Sequence, residues 1–259
     1  MSSLENITLA IDGGVGTITV QRPAALNALN RAMLVELKQA MNLVKANEAI
    51  RVVVLTGAGT RAFVAGADIS ELALADPLEA LKVAEEGKDV FDMIERLPKP
   101  TIAAINGIAA GGGLEFALSC DFRIAAATAR LGLPEVNLGL LPGWGGTQRL
   151  QRLVGFSRAK RLILLGELIS AEQALGVGLV DQVVPQEHFA SAVADLAASL
   201  LRKSPVALSL CKAAIHAAAS LDAGMTAETR LFGLAFTTQD SREGLDAFTS
   251  KRKPVFTGK

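Results

Sequence analysis

Residues 101–121 restrict the possible folds of this chain more than any other segment. The apolar run Thr101–Ile105 stands between a proline and an Asn-Gly pair, which is typical of a short buried strand that ends in a turn. Three glycines at 111–113 then precede a run of good helix formers. Such a junction points free N–H groups and the positive end of a helix dipole at one spot. We therefore predict an oxyanion site with the carboxylate of Glu115 at its edge, although close packing of a strand on a helix explains the glycines equally well.

The same segment is apolar over about 20 residues, which is the length of a bilayer span. A membrane helix here would place Asn106, Gly107, three further glycines and Glu115 in hydrocarbon, so we predict that it does not cross a membrane. The N-terminus has neither a basic and apolar signal sequence nor an Arg-rich amphipathic helix. We therefore expect a cytoplasmic protein.

The composition argues against several other classes of protein. Half of the 259 residues are hydrophobic, which is enough for a large core and suggests further burial between subunits. Lys+Arg and Asp+Glu both total 26, so no global field attracts nucleic acid or an anionic membrane. Cys120 and Cys211 form no CxxC pair, and His188 and His216 belong to no ligand motif. We expect neither a disulfide framework nor a metal site.

Strand and helix patterns alternate over most of the chain, beginning with an N-terminal hairpin. The clearest later elements are a helix from Arg31 to Lys45 and buried strands at Val52–Thr56 and Phe122–Ala126. Toward the C-terminus only Ala/Leu-rich helical patterns follow. We predict an α/β body over residues 1–190 and a helical C-terminal region over residues 191–259, whose apolar helices pack on the body or on another subunit.

Two glutamates stand in apolar surroundings and are the candidates for acid–base chemistry. Glu115 follows the glycine run, and Glu135 follows Gly132-Leu133-Pro134. Burial raises the pKa of a carboxyl group, so that it can donate and accept protons near neutral pH. A pair of such groups can hold a water molecule and move its proton and its oxygen to a substrate. For either glutamate alone, burial with backbone N–H partners is the commoner explanation.

Other catalytic and nucleotide-binding motifs are missing from the sequence. Neither the glycine loop at 63–68 nor the one at 107–113 has the GxGxxG or GxxxxGK[ST] pattern of a phosphate-binding loop. The chain has no GxSxG motif for a serine nucleophile and no tyrosine to act as an acid. The carboxylates therefore remain as the candidate groups for acid–base catalysis.

Several motifs occur in order along nearly the whole chain. They are residues 22–29 (RPAALNAL), 62–69 (AFVAGADI), 102–122, 132–135 (GLPE), 142–150 (PGWGGTQRL), 242–248 and 251–253. Together they resemble the crotonase superfamily, that is, the enoyl-CoA hydratase/isomerase family, and they are far more specific than one glycine loop. The resemblance implies an α/β fold, a crotonase-like spiral of ββα turns with a C-terminal helical region that assembles trimers, usually paired into hexamers.

The resemblance also implies roles for four residues. The backbone N–H groups of Ala67 and Gly112 would form an oxyanion hole for a thioester carbonyl. Glu115 would orient and deprotonate the attacking water, and Glu135 would protonate the α-carbon. Relatives that hydrate enoyl-CoA carry both glutamates, whereas isomerase-type relatives generally keep one. The presence of both glutamates here therefore favours hydration.

Contacts with the acyl-CoA are implied for a further set of residues. Ser70 stands where many relatives have a lysine that pairs with a CoA phosphate, and Arg61 or Lys251 is expected to compensate. Trp144 replaces a smaller residue beside the acids, which implies a short acyl pocket, and Gly143 would lie close to the water and the acyl group. The implied substrate-binding residues are Ala25, Ala65, Asp68, Ile69, Ser70, Gly143 and Trp144, with Phe232 and Lys251 reaching the ligand of a neighbouring subunit.

We therefore expect reversible hydration of short- to medium-chain trans-2-enoyl-CoA to 3-hydroxyacyl-CoA, in fatty-acid or aromatic-acid degradation. The resemblance implies no metal or redox cofactor, since coenzyme A is part of the substrate, and it implies a homotrimer or homohexamer. Two alternatives within the family are Δ3,Δ2-enoyl-CoA isomerisation and hydration of a ring-conjugated acyl-CoA. A non-catalytic CoA-binding protein is an alternative of another class, and loss of a glutamate would have favoured it.

Overall fold

The structure is a computed structural model that describes residues 4–217 and 221–259. The strands are β1 Ile7–Asp12, β2 Val15–Val20, β3 Val52–Gly57, β4 Ala62–Val64, β5 Thr101–Ile105, β6 Ile108–Ala110, β7 Phe122–Ala126, β8 Arg130–Gly132, β9 Ile169–Ser170 and β10 Gln182–Val184. The α-helices are α1 Arg31–Ala46, α2 Ile69–Leu72, α3 Pro77–Glu95, α4 Gly112–Leu118, α5 Gly146–Val154, α6 Phe156–Leu165, α7 Ala171–Gly176, α8 Gln186–Leu201, α9 Pro205–His216, α10 Leu221–Ala235 and α11 Gln239–Thr249. Short 3₁₀ helices cover Pro23–Ala25 and Glu135–Leu138. Within the described ranges, none of the helices has the length and apolarity to cross a membrane.

Six strands form one sheet in the order β1-β2-β3-β5-β7-β10. The predicted N-terminal hairpin pairs β1 with β2 in antiparallel fashion, and the other neighbours are parallel. Alternate side chains of the central strands enter two different cores. Val53 and Leu55 of β3 join the core that contains α1, α3 and α4, whereas Val52 and Val54 face α8. The central strands β3 and β5 are therefore buried on both faces, which explains why they are almost continuously apolar in sequence.

A second sheet, in the order β4-β6-β8-β9, begins where strands of the first sheet end. The chain passes within a few residues from β3 to β4, from β5 to β6 and from β7 to β8, and it returns each time through helices. At the corner after β5, Asn106 Nδ2 donates hydrogen bonds to the carbonyl oxygens of Gly57 at 2.8 Å and Gly59 at 2.6 Å. This side chain ties adjacent corners together, so that successive ββα units stack as a spiral.

Helices α8 to α11 follow the last strand. The buried face of α8 lies on the first sheet and consists of Phe189, Val193, Ala197 and Leu200. The predicted boundary between residues 190 and 191 falls within this helix, which packs on the body. Helices α9 and α10 pack against each other, and Lys212 of α9 pairs with Asp121 at 2.6 Å. The role of residues 191–259 as an oligomerisation region stays a prediction.

Candidate active site

Two glycine-containing loops approach each other where β4 and β6 end. A Cβ atom on Gly66 would lie 3.2 Å from the carbonyl oxygen of Ala110 and 3.9 Å from the nitrogen of Gly112. Gly66 has φ +122°, a conformation that glycine adopts at no steric cost. The N–H groups of Ala67 and Gly112 therefore belong to loops in contact with each other.

The local hydrogen bonds leave both of these N–H groups unused. Leu29 N–H donates to Gly66 O, and Asp68 N–H donates to Leu29 O, each at 2.8 Å. The bridge between Leu29 and Ala67 thus leaves out the N–H group of Ala67 itself. Gly112 is the first residue of α4, and the first N–H groups of a helix have no acceptor within it. In the part of the chain that the structure describes, neither N–H group donates a hydrogen bond, as an oxyanion hole requires.

Glu115 lies in the first turn of α4 and is only 2% exposed. Its Oε1 accepts hydrogen bonds from Trp144 N–H at 2.8 Å and Gly146 N–H at 2.7 Å. Burial, assisted by the charge of Glu135, raises the pKa of Glu115 to about 7 against the opposing effects of these N–H donors and of Arg149. The carboxyl group is therefore held in a fixed position and titrates near neutral pH.

Glu135 opens the second 3₁₀ helix, and both of its carboxylate oxygens are buried. Among the described residues these oxygens have no hydrogen-bond partner. A Cβ atom on Gly111 would lie 3.1 Å from Glu135 Oε1, so the carboxyl group faces the turn that opens α4. Burial raises its pKa. The described residues bring no group of three His, Cys, Asp or Glu side chains together in a metal-binding arrangement. Two buried carboxyl groups with raised pKa values beside one loop are typical of a functional site.

The indole of Trp144 forms one wall of the site. It is 5% exposed, its Nε1 donates to Val83 O at 3.1 Å, and it meets Phe91 edge-to-face with ring centroids 5.5 Å apart. A Cβ atom on Gly112 or Gly87 would overlap the indole, so both glycines make room for it. A cavity of about 150 Å³ lies against this wall, and its lining includes Leu29, Leu34, Ala67, Asp68, Val83 and Trp144.

Comparison with known proteins agrees with this geometry. The sequence profile of the family described as Enoyl-CoA hydratase/isomerase matches residues 10–259. The chain belongs to this family. It is 44% identical to the Crotonyl-CoA hydratase of Syntrophomonas wolfei, over 98% of this chain and 99% of that protein. It is also 44% identical to the Short-chain-enoyl-CoA hydratase of Clostridium acetobutylicum, over 96% of this chain and 97% of that one.

Solved structures of the family have the same fold. The crystal structure of an enoyl-CoA hydratase from Bacillus anthracis superposes with a TM-score of 0.94 at 41% identity, covering 98% of this chain and 100% of that chain. The expected α/β, crotonase-like fold with C-terminal helices is thereby confirmed.

The substrate-binding residues expected from the family fall into two regions. Ala25, Ala65, Asp68, Ile69 and Ser70 lie on the loops and short helices around Ala67, and Gly143 is next to Trp144. The Asp68 carboxylate caps α2 and pairs with Arg22 at 2.6 Å. Hydrogen bonds from Ser70 and Arg22 lower its pKa. Because this carboxylate is engaged within the protein, we expect any contact with coenzyme A here to come from the backbone.

Phe232 and Lys251 form the second region, on the C-terminal helices. Phe232 of α10 is exposed and packs edge-on against Phe236, with ring centroids 5.2 Å apart. Lys251 follows α11 with φ +51°. Neither residue lines the cavity beside Ala67 in the described ranges. Their contact with the ligand of a neighbouring subunit stays a prediction.

A buried cation behind the site was not predicted from the sequence. Arg149 is 8% exposed, donates from Nη1 to Trp144 O at 2.8 Å, and pairs with Asp92 and Glu95 of α3. Its one sequence signal was its place in the PGWGGTQRL motif. A charged residue in an amphipathic helix is ordinarily exposed, so the pattern alone does not predict burial.

Proposed function

We propose that this enoyl-CoA hydratase, a hydro-lyase, adds water reversibly to short trans-2-enoyl-CoA thioesters and forms 3-hydroxyacyl-CoA. One observation carries the proposal. Two buried carboxyl groups with raised pKa values, Glu115 and Glu135, lie beside two loops that present the N–H groups of Ala67 and Gly112. The names of the relatives from Syntrophomonas wolfei and Clostridium acetobutylicum support a short acyl group.

The N–H groups of Ala67 and Gly112 would bind the thioester oxygen. When water attacks the β-carbon, an electron pair moves through the α-carbon toward that oxygen and makes it negative. Two fixed donors stabilise this charge in the transition state, and loss of one donor from a comparable site costs about 3–4 kcal/mol. The positive end of α4 adds to the same effect.

Glu115 and Glu135 would move the protons. In the hydration direction, ionised Glu115 takes a proton from the water whose oxygen bonds to the β-carbon, and protonated Glu135 delivers a proton to the α-carbon. One proton shared by two interacting carboxyl groups meets both needs, and burial raises the pKa of both Glu115 and Glu135, which favours retention of a proton by the pair. Dehydration uses the same groups in reversed roles. These steps assign no task to a metal or to a redox cofactor.

Trp144 would limit the length of the acyl group. Its indole is held by Val83 and Phe91, and it fills the space that a Cβ atom on Gly112 would need, directly beside one of the two N–H donors. We expect much faster turnover of crotonyl-CoA than of a C12 enoyl-CoA. Comparable turnover of the two substrates would contradict this role of Trp144.

The direct test follows the loss of enoyl-thioester absorbance after the purified protein is mixed with crotonyl-CoA. Rapid loss with formation of 3-hydroxybutyryl-CoA is the expected result, and Glu115→Gln serves as the inactive control. A folded wild-type protein that leaves the absorbance unchanged would contradict the proposed function. We further propose that the enzyme works in the cytoplasm as a homotrimer or homohexamer.

A further inference from the structure

Arg149 of α5 lies directly behind the loop that holds Glu115. Its Nη1 donates to the carbonyl oxygen of Trp144 at 2.8 Å. Its Nε and Nη2 donate to Glu95 Oε2 at 2.9 and 2.8 Å, and Nη2 also donates to Asp92 Oδ1 at 2.6 Å. Both carboxylates belong to α3, so the guanidinium joins α3 to the loop through rigid, charge-assisted hydrogen bonds.

The same loop supplies the hydrogen bonds that orient Glu115. The carbonyl oxygen of Trp144 accepts a hydrogen bond from Arg149, and its N–H donates to Glu115, as does the N–H of Gly146. Gly145 between them has φ +105°, and a Cβ atom there would overlap Arg149 Nη1. The loop is thus packed tightly on the guanidinium. A displacement of Arg149 would therefore move both N–H donors.

We propose that Arg149 is a positioning residue for hydration: it holds residues 144–146 where their N–H groups orient Glu115, and it supplies the positive charge behind that carboxylate. The inference rests on the proposed function. Arg149 acts through Glu115, since its own hydrogen bonds go to α3 and to the back of the loop. It also lowers the pKa of Glu115 and thereby opposes burial and Glu135, which both raise it.

The charges around the guanidinium come from two helices. Asp92 also accepts a hydrogen bond from Lys88 at 2.8 Å, and Arg96 further lowers its pKa. Glu95 lies 4.0 Å from His216 Nδ1 of α9. All of these groups remain when the cation alone is substituted. Loss of the positive charge of Arg149 leaves Asp92 and Glu95 without this partner, and the lost cation and the unpaired carboxylates both act to raise the pKa of Glu115.

Two substitutions separate the charge of Arg149 from its geometry. Arg149→Lys keeps the positive charge, but an ammonium group cannot reproduce the planar set of hydrogen bonds that the guanidinium donates to Trp144, Asp92 and Glu95. Arg149→Gln keeps a hydrogen-bond donor without the charge. We expect Arg149→Lys to lower kcat for crotonyl-CoA by about 10- to 100-fold with little change in KM, because a misplaced catalytic group costs rate. Arg152→Lys and Arg152→Gln change an exposed arginine of the same helix and should keep the wild-type kcat.

A second measurement reads the ionisation of Glu115 itself. The infrared C=O band of its protonated carboxyl group is assigned by its loss in Glu115→Gln and is titrated in each variant. The midpoint should be higher in Arg149→Gln than in the wild type and near the wild-type value in Arg149→Lys. An unchanged midpoint in folded Arg149→Gln, or full kcat in Arg149→Lys, would overturn the proposal.

The two measurements also distinguish this inference from the proposed function. The infrared titration needs no substrate, so a wild-type protein that is inert toward crotonyl-CoA refutes the reaction while the titration still decides the role of Arg149. If Arg149→Gln does not fold, Arg149→Lys decides alone. A reduced kcat with unchanged KM supports the proposal, and a full kcat refutes it.

Discussion

At the scale of single residues, Glu115 and Glu135 are buried in different ways. Glu115 is held by two backbone N–H groups, whereas the buried oxygens of Glu135 have no partner among the described residues. We expect Glu115→Gln and Glu135→Gln each to slow hydration at least about 100-fold, because general acid–base catalysis typically contributes that much and an amide cannot exchange the proton. Crotonyl-CoA turnover measures the rate, and circular dichroism checks the fold. Full activity in either variant would rule out the two-carboxylate mechanism.

The raised pKa of Glu115 also links stability to pH. Because its pKa rises from 4.5 to about 7, the folded protein binds this proton more tightly than the unfolded chain does. The resulting stabilisation is complete below the unfolded pKa and is lost as the pH rises through the folded pKa. Its size is on the order of 3 kcal/mol, since one pKa unit corresponds to about 1.4 kcal/mol.

The comparison of wild type with Glu115→Gln isolates this effect. The variant does not titrate at this position, so the wild type should lose more of its free energy of unfolding than the variant between pH 4.5 and 7. Denaturant unfolding at one protein concentration and several pH values measures both curves. Parallel curves would show that the carboxyl group is not stabilised in its protonated form.

At the scale of elements, the strands and helices that are long enough to show a hydrophobic pattern could be predicted from the sequence. The strands Thr101–Ile105 and Phe122–Ala126 have the predicted bounds, and the predicted helix Arg31–Lys45 differs from α1 by one residue. Strands β4, β6, β8 and β9 have only two or three residues, too few for an alternating pattern. The sequence therefore predicted the two glycine loops, but it did not predict the second sheet, which places these loops side by side.

The site was predictable only in part, for the same physical reason. Glutamates in apolar segments stand out in the sequence, so Glu115 and Glu135 could be singled out from the chain itself. Backbone donors carry no side-chain signal, and Ala67 and Gly112 were predicted only through the family resemblance. The contacts of Arg149 depend on how α5 packs on α3, which no local pattern contains.

Gly87 gives a prediction about the packing of α3 on the site. Glycine inside a helix costs about 1 kcal/mol relative to alanine, but a Cβ atom here would overlap the indole of Trp144. We expect Gly87→Ala to destabilise the wild type and to stabilise Trp144→Ala by about 0.5–1 kcal/mol. Denaturant unfolding of the four proteins completes the double-mutant cycle. The same sign in both backgrounds would show that the indole does not require this glycine.

At the scale of the whole molecule, large apolar side chains remain exposed on the C-terminal helices and on the turn after α10. They are Ile215, Met225, Phe232, Leu234, Phe236, Leu245 and Phe248. Single exposed apolar residues are ordinary, but a concentration of them on consecutive helices indicates an interaction surface. Such a surface agrees with the proposed assembly of identical subunits.

We therefore expect light scattering to give three or six times the chain mass of 27.0 kDa. Phe248 of α11 is 84% exposed in the single chain, and Phe248→Asp would bury an unpaired charge between subunits. This substitution should shift the mass toward that of one chain. Val35→Asp, at a 51% exposed position of α1, is the matched control and should leave the mass unchanged. A wild-type mass of 27.0 kDa would refute the assembly, and an unchanged mass in Phe248→Asp would refute the part assigned to α11.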